Sequence, residues 1–276
     1  MDCADVVWSV DRRSSRPCFQ GPIPAGSLVY AKRDHVGAIF QHLRRSRSRA
    51  VVVTSESDDP ILNGSRNQAP PQVVSWFSTN SFDPGVDSIP LGLGNSYCGL
   101  TAKAADLARV AGLHLPRDKW LLVNFRPRTN PSVRGPLLQH YRASGWATVE
   151  EGLDPEACLQ AMASHRFVLC PAGNGVDTHR LWEALYLGAI PIVEKHPALQ
   201  AFADLPILQV DDLAALDGPR LEKEYGDFLS RPRNLAKLFF PHWEGVLKDA
   251  LARLRQEPAK LSFSRFLSGW ISLRKR

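Results

Sequence analysis

The sequence predicts an α/β protein whose strands are mostly parallel and buried, arranged in two halves. Short apolar, β-branched runs alternate with helical patterns along the 276 residues. The alternation is interrupted once, between about 79 and 118, by turn-rich and proline-marked sequence, after which it restarts. Two α/β halves with a crevice between them are therefore expected, with a ligand beyond the carboxyl ends of the strands.

The individual elements follow from composition and spacing. The predicted strands are apolar runs bounded by polar or turn residues, and they cover 27–31, 50–55, 72–78, 119–125, 166–171 and 189–194. The predicted helices place apolar residues three and four apart, and they cover 35–46, 101–112, 133–144, 154–165, 178–188 and 242–256. We place the domain boundary near 114, which gives domains of 1–113 and 114–257 and a tail of 258–276.

The tail, "LSFSRFLSGWISLRKR", has amphipathic helical spacing and ends in basic residues. Two interpretations stay open: it packs back across the first domain, or it lies on an anionic membrane as a peripheral contact. A second basic cluster, "RRSRSR", contributes to the net charge of +6. Because no nucleic-acid-binding motif accompanies it, we expect phosphorylated ligands or anionic membranes rather than nucleic acid.

The cysteines and the first residues bear on the compartment. Five scattered cysteines without a C-x-x-C or Cys/His spacing indicate reduced thiols and no zinc site. The first ten residues carry Asp2 and Asp5 where a signal peptide would be basic, and no run approaches the ~18 apolar residues of a membrane span. A cytoplasmic location is expected.

The stretch "FVLCPAGNGVDTHRLWEALYLGAIPIVE", 167–194, runs a strand through a glycine-bearing turn into a helix and a second strand. Gly173 and Gly175 are predicted to adopt positive φ and to let the backbone approach a ligand. Asp177 or Thr178 is the predicted N-cap, and Gly188 the stop. A helix N-terminus at the carboxyl end of a strand attracts anions, so phosphate is the expected ligand.

Charged residues extend this site. Arg180 offers a bidentate fork for phosphate, and Glu183, with His179 on the same side of the helix, offers a carboxylate for a ribose diol. The combination describes a nucleoside diphosphate; an Arg180–Glu183 surface pair beside ordinary turn glycines is the alternative. Arg126, after the strand at 119–125, is a second candidate for the diphosphate, unless that loop simply faces solvent.

The order and spacing of ten residues in this stretch resemble the donor-binding segment of exostosin-like glycosyltransferases and the related ribitol xylosyltransferases. These residues are Phe167, Leu169, Pro171, Gly173, Arg180, Glu183, Gly188, Ile190, Pro191 and Ile192. The match covers about 30 residues, and "WFSTNSFDPGVDSIPLGLG" upstream resembles the family more weakly.

The resemblance implies a GT-B glycosyltransferase: two Rossmann-like domains facing each other across a cleft, with the acceptor on 1–113 and the nucleotide sugar on 114–257. Carried over by position, Glu183 would hold the ribose and Arg180 the diphosphate. The turn of Gly173, Asn174 and Gly175 would bring its backbone close to the donor. Thr178 and His179, at the start of the helix, would contact the donor as well.

The implied reaction is hexosyl or pentosyl transfer from a nucleotide sugar, a UDP-sugar being favoured, to a glycan or lipid-linked acceptor. It would need no cofactor besides the donor and no metal, because arginines and a helix N-terminus stabilise the leaving group. Inversion would need a general base, and Asp58 and Asp59 in "SESDDP" are the predicted pair unless they serve a turn. The other candidates are His35, Glu56 and Asp83. A retaining enzyme would need no such base.

Three alternatives remain. One is a catalytically inactive nucleotide- or glycan-binding protein of the same fold. Another is a fucosyltransferase-like enzyme using a GDP-sugar, which ranks lower because no Lys follows Glu183. The third is a basic nucleic-acid-binding protein, which would leave Arg180 and Glu183 unexplained.

Overall fold

The computed structural model describes residues 4–8, 21–94, 102–231 and 234–256. Within them the strands form two sheets in which every pairing is parallel. The first sheet has the order β1-β2-β3-β4-β5: Val6–Trp8, Ser27–Lys32, Ala50–Ser55, Val73–Ser78 and Asp87–Ser88. The second has the order β10-β9-β8-β6-β7, and its strands β6 to β10 are Lys119–Val123, Thr148–Val149, His165–Leu169, Ile190–Glu194 and Leu208–Val210.

Helices cover both faces of each sheet, as parallel strands require. In chain order, α1 to α8 are Val36–Ser46, Ser65–Gln68, Ala104–Ala111, Pro131–Ser144, Pro155–Ser164, His179–Tyr186, Gly218–Ser230 and Phe240–Gln256. The architecture is therefore two Rossmann-like α/β domains, and the predicted fold class is confirmed. No helix in the described part of the chain is both long and apolar enough to span a bilayer.

All six predicted strands and all six predicted helices are present, with ends shifted by a few residues. The strands β1, β5, β7 and β10 escaped prediction because runs of two or three residues carry no periodicity. Helix α7 escaped it because Leu221 is its one fully buried residue, and α2 because it has only four residues. The four short strands form the edges of the two sheets, and the loop after β7 contributes to the wall of the candidate site.

Two helices pack in the domain other than the one predicted. Helix α3, placed in 1–113, lies against α5 and contributes Leu107 and Val110 to the core of the second sheet. Helix α8, placed in 114–257, contributes Ala250 and Leu254 to the core of the first sheet. The packing differs from the predicted boundaries because apolar spacing reveals that a helix has a buried face but not which sheet covers it. The predicted tail, 258–276, lies outside the described residues.

The order of the second sheet creates the crevice that positions the site. Strand β6 has β7 on one side and β8 on the other, so the chain leaves the two neighbouring strands β6 and β8 in opposite directions. A crevice opens at the carboxyl ends of strands at such a switch point. The turn after β8 leads directly into α6, which brings the N-terminus of that helix to the crevice.

Candidate functional site

Two adjoining cavities lie at this edge of the second sheet. The first, of about 470 Å³, lies beyond β6 and β7 and at the start of α6, and Asn124, Arg126, Arg180 and Glu183 line it. The second, of about 450 Å³, lies between the domains, and residues of the first domain form one wall. Both cavities are lined by Thr129, Arg134, Thr178 and His179. The sequence-predicted phosphate and ribose residues are thus brought together beside the interdomain cleft.

Arg180 is oriented by its neighbours in the first cavity. Its Nη1 donates to Oδ1 of Asn124 at 3.2 Å and lies 3.8 Å from Sγ of Cys158. The amide of Asn124 cannot rotate freely because its Nδ2 donates to the carbonyl oxygen of Glu150 at 2.9 Å. The guanidinium is therefore held at the cavity by neutral partners and keeps its charge available for an anion.

Glu183 lies on the wall of the same cavity and is only 7% exposed. Its Oε1 accepts a hydrogen bond from the backbone N–H of Ala102 at 3.1 Å. Although both residues are described, Glu183 and Arg180 form no ion pair with one another. The alternative of an exposed Arg180–Glu183 pair is therefore wrong.

Arg134 adds a buried cation beside the half-buried Arg180; the sequence places it in the same basic stretch as Arg126, which was the preferred candidate. It donates to the carbonyl oxygens of Ala172 (3.0 Å), Pro171 (2.8 Å) and Arg126 (3.3 Å), and to Oγ1 of Thr129 at 2.6 Å. Burial and then the charge of Arg180 lower the pKa of Arg134 to about 10. None of these four partners is a carboxylate, so an anion in the adjoining cavities would offset unfavourable positive charge.

The glycine turn is built differently from the prediction. Neither Gly173 nor Gly175 has a positive φ. A Cβ at Gly173 would instead stand 2.9 Å from Nη2 of Arg134, and one at Gly175 would stand 2.8 Å from Nδ2 of Asn80. Each glycine therefore makes room for a neighbouring side chain, and neither is required by the backbone conformation of the turn. Gly188, by contrast, has φ +77° after α6, as predicted for the helix stop.

The start of α6 is tied to the first domain. Thr178 is the N-cap residue but makes no side-chain capping bond. The backbone N–H of Asp177 donates to Oδ1 of Asn80 at 2.8 Å, while Nδ1 of His179 donates to the carbonyl oxygen of Gly92 at 2.7 Å. A carbonyl only accepts, so this bond leaves Nε2 of His179 as the nitrogen free to act as an acceptor.

The buried carboxylate of Asp177 accepts hydrogen bonds from both sides of this connection. Its Oδ2 accepts from the backbone N–H of Leu91 at 2.7 Å, and its Oδ1 accepts from Nε1 of Trp182 at 2.6 Å. Burial raises the pKa of Asp177 to about 7, and the hydrogen bonds from Leu91, Trp182 and Thr178 act in the opposite direction. Asp177 therefore couples α6 to the segment that joins the domains.

The two predicted catalytic residues, Asp58 and Asp59, differ in their position relative to the interdomain cavity. Asp58 lines the interdomain cavity, and its Oδ2 accepts from Nδ2 of Asn174 at 3.0 Å across the cleft. Asp59 is not among the cavity residues, and its backbone N–H bonds to Oγ of Ser57 at 3.2 Å in a turn. Glu56 does line the cavity, with its carboxylate 3.8 Å from Nζ of Lys32.

The remaining base candidates lie elsewhere. His35 is not a lining residue of either cavity. Asp83 is buried and accepts hydrogen bonds at 2.8 Å from the backbone N–H groups of Arg66 and Gly85, which is a turn role. Among the described residues no three His, Cys, Asp or Glu side chains come together in a way that would hold a metal ion.

Several site residues escaped sequence reasoning. Lys32, Asn80, Arg134 and Asp177 line the interdomain cavity without having been predicted to do so. Some signal was present for Asn80 and Lys32, since polar residues at the carboxyl end of a predicted strand lie at the ligand edge of such a sheet. For Arg134 there was only its membership of a basic loop.

Comparison with known proteins gives one match in sequence. The chain is similar to a glycosyltransferase. Over 105 residues it is 26% identical to a probable glycosyltransferase of Arabidopsis thaliana, and the match covers 36% of this chain and 22% of that protein. The chain thus matches less than a quarter of the length of that relative. No family model matches the chain.

Solved structures align over most of the chain at low similarity. A GtfA/B complex aligns with a TM-score of 0.41 and 13% identity over 85% of this chain and 58% of that one. An α,α-trehalose 6-phosphate synthase from Burkholderia multivorans aligns at 0.36 and 11% over 90% and 72%. A pneumococcal O-GlcNAc transferase, solved with UDP and GlcNAc, aligns at 0.33 and 14% over 85% and 53%.

Proposed function

We propose that this chain is a GT-B glycosyltransferase domain of the exostosin-like kind, which moves a sugar from a UDP-sugar to a glycan or lipid-linked hydroxyl. One observation carries the proposal. Arg126, Arg180 and Glu183 line a single cavity at the carboxyl ends of β6 and β7, and that cavity adjoins a cleft lined by acidic residues of the other domain. The sequence similarity to a glycosyltransferase agrees with this assignment.

The diphosphate would lie at the start of α6, between the two cavities. The free N–H groups of that helix and the charges of Arg180 and Arg134 all favour an anion there. Arg126 also lines the first cavity. When the sugar is transferred, the leaving diphosphate gains negative charge, and pre-oriented cations stabilise that charge without a divalent metal.

The ribose would lie against Glu183. One of its carboxylate oxygens already accepts from Ala102, whereas a carboxylate has about four acceptor positions in all. The other oxygen is therefore suited to the paired hydroxyls of a ribose. With the nucleoside in the first cavity and the diphosphate at α6, the sugar would enter the interdomain cavity, where the acceptor domain supplies Glu56 and Asp58. Direct displacement there would invert the anomeric centre.

Nucleotide binding tests the proposal. Wild type, Glu183→Gln, Arg180→Gln and the exposed control Glu222→Gln would be titrated calorimetrically with UDP, GDP, CMP and dTDP. We expect UDP to bind wild type and the control equally and the two site variants at least ~10-fold more weakly, since each loses a hydrogen bond to a charged group. No binding by wild type would refute the proposal. Binding without transfer from any UDP-sugar would indicate a nucleotide-binding protein instead.

A further inference from the structure

The residue that follows strand β3, Glu56, combines an unusual backbone with a position in the cavity proposed for the sugar. Glu56 has φ +58°, in the left-handed region. This conformation is uncommon outside glycine, asparagine and aspartate, and in other residues it is strained. Such strain persists where the surrounding structure enforces it, and it concentrates at functional sites. Of the four described non-glycine residues with positive φ, only Glu56 and Asn80 line the interdomain cavity.

The side chain of Glu56 is 15% exposed and lines the interdomain cavity, as does the glycine turn after β8. Nζ of Lys32 is 3.8 Å from its Oε2, so the partly buried carboxylate has a compensating charge beside it. Asn80 is the other cavity residue with a left-handed backbone, at φ +52°, and its side chain holds the donor-side loop through Asp177. The ends of β3 and β4 are thus both bent in a way that aims a side chain at the cleft.

Asp58 is placed for a different task. It is exposed, and its Oδ2 is already engaged by Nδ2 of Asn174 on the donor domain. A carboxylate that bridges the two domains holds them in register, whereas a base must be able to approach the acceptor hydroxyl. The two residues also differ in burial and backbone, because the side chain of Glu56 is 15% exposed and its φ is +58°, whereas Asp58 is exposed and links the domains.

We propose that Glu56, rather than Asp58 or Asp59, is the general base of the transfer reaction; this inference rests on the proposed function. An oxygen of the Glu56 carboxylate takes the proton of the acceptor hydroxyl. The acceptor oxygen forms a bond to the anomeric carbon as the bond from that carbon to the β-phosphate oxygen breaks, and the nucleoside diphosphate leaves with the electron pair. With water as acceptor the same step hydrolyses the donor.

The test measures nucleotide release from UDP-glucose, UDP-galactose, UDP-xylose and UDP-GlcNAc with water as acceptor. Wild type, Glu56→Gln, Glu56→Gly and Asp58→Asn would be compared, with melting temperature as a second readout. Loss of a general base costs about 100-fold or more, so both Glu56 variants should lose release to at least that extent while UDP affinity is retained. Asp58→Asn should keep release within about 10-fold of wild type.

Glu56→Gly separates catalysis from folding. Glycine accepts φ +58° without strain, so its melting temperature should equal or exceed that of wild type although release is lost. Arg47→Gly is the matched control, because Arg47 has φ +56° at the end of α1, outside both cavities. It should gain thermal stability with unchanged release.

The pH profile of release gives a further readout that a structural role would not move. Its acid limb should disappear in Glu56→Gln. The other titratable groups lining the cavity, which must be kept unchanged, are Tyr30, Lys32, Asp58, Arg134, Asp177 and His179.

Three outcomes would contradict the inference. If Glu56→Gln releases nucleotide like wild type while Asp58→Asn does not, the base is Asp58 and the glycosyltransferase assignment stands. If Glu56→Gly is both stabilised and active, the left-handed backbone is a feature of folding alone. If wild type binds no nucleotide and releases none from any donor, the proposed function fails and the inference fails with it.

Discussion

Gly175 and Asn80 are in such close contact that a Cβ on Gly175 would stand 2.8 Å from Nδ2 of Asn80. Asn80 belongs to the first domain, and its Oδ1 also accepts from the backbone N–H of Asp177. The close approach therefore joins the loop that precedes α6 to the opposite wall of the cleft. A side chain at Gly175 would force the two apart.

The first prediction concerns this contact. Gly175→Ala should lower the free energy of unfolding by about 1–3 kcal/mol, as overpacking does, and should weaken UDP binding because the start of α6 shifts. Gly226→Ala, at a glycine inside α7 with open space around it, is the control and should raise stability by about 0.5–1 kcal/mol. Denaturant titration and calorimetry give both quantities. Equal stability of the two variants would show that the side chain of Asn80 moves aside with no loss in the free energy of unfolding.

The second prediction concerns the orientation of Arg180. In Asn124→Asp, a carboxylate would face Nη1 of Arg180 at the position now held by the amide oxygen, 3.2 Å away, and the carbonyl of Glu150 would lose its donor. The new ion pair would neutralise the cation that the diphosphate needs. We expect UDP affinity to fall about 10-fold or more, while uridine, which lacks phosphate, should bind as before. An equal loss for both ligands would point to a collapsed cavity.

The sequence predicts the strands and helices more completely than the residues of the candidate site. The run "AVVVTS" and the last three residues of "KWLLV" are buried on both faces, and that burial is what an uninterrupted apolar run predicts. Arg180 and Glu183 were found because one short segment holds both of them together with the turn. Glu56 was recognised only as a member of an acidic cluster, since a left-handed φ leaves no signature in a non-glycine residue.

Contacts between the domains could not be predicted at all. Asn174 meets Asp58 across 116 positions in sequence, and Leu91 meets Asp177 across 86. Neither pair shares a helix face or a strand register, so periodicity gives no information on it. For the same reason the packing of α8 could not be predicted: its apolar spacing shows that one face is buried but does not indicate that the first sheet covers it.

The third prediction concerns metal removal. If Arg126, Arg134 and Arg180 neutralise the leaving diphosphate, nucleotide release from UDP-sugars should be unaffected by EDTA and unchanged by added Mg²⁺ or Mn²⁺. In contrast, Arg180→Gln should reduce release about 100-fold, because a transition-state charge loses its stabilising donor. Restoration of activity to EDTA-treated protein by a divalent cation would overturn the metal-independent mechanism.

The fourth prediction concerns the pH dependence of stability that Asp177 confers. Its pKa rises from an ordinary 3.8 to about 7 in the folded protein, chiefly through burial. A carboxyl with a raised pKa binds its proton more tightly when the protein is folded, so its stabilising contribution is complete below pH 3.8 and is lost as the pH rises through 7. The loss would be of the order of 4 kcal/mol, at about 1.4 kcal/mol for each pKa unit.

Asp177→Asn isolates this contribution, because the amide does not titrate. The free energy of unfolding of wild type minus that of the variant should fall between pH 4.5 and 7.5. The variant carries a pH-independent penalty of about 1–3 kcal/mol, since its amide N–H₂ would face the N–H donors of Leu91 or Trp182. Asp211→Asn, at a side chain that is 84% exposed, is the control and should run parallel to wild type. A constant difference for Asp177→Asn would mean that the N–H donors outweigh burial and hold Asp177 ionised throughout.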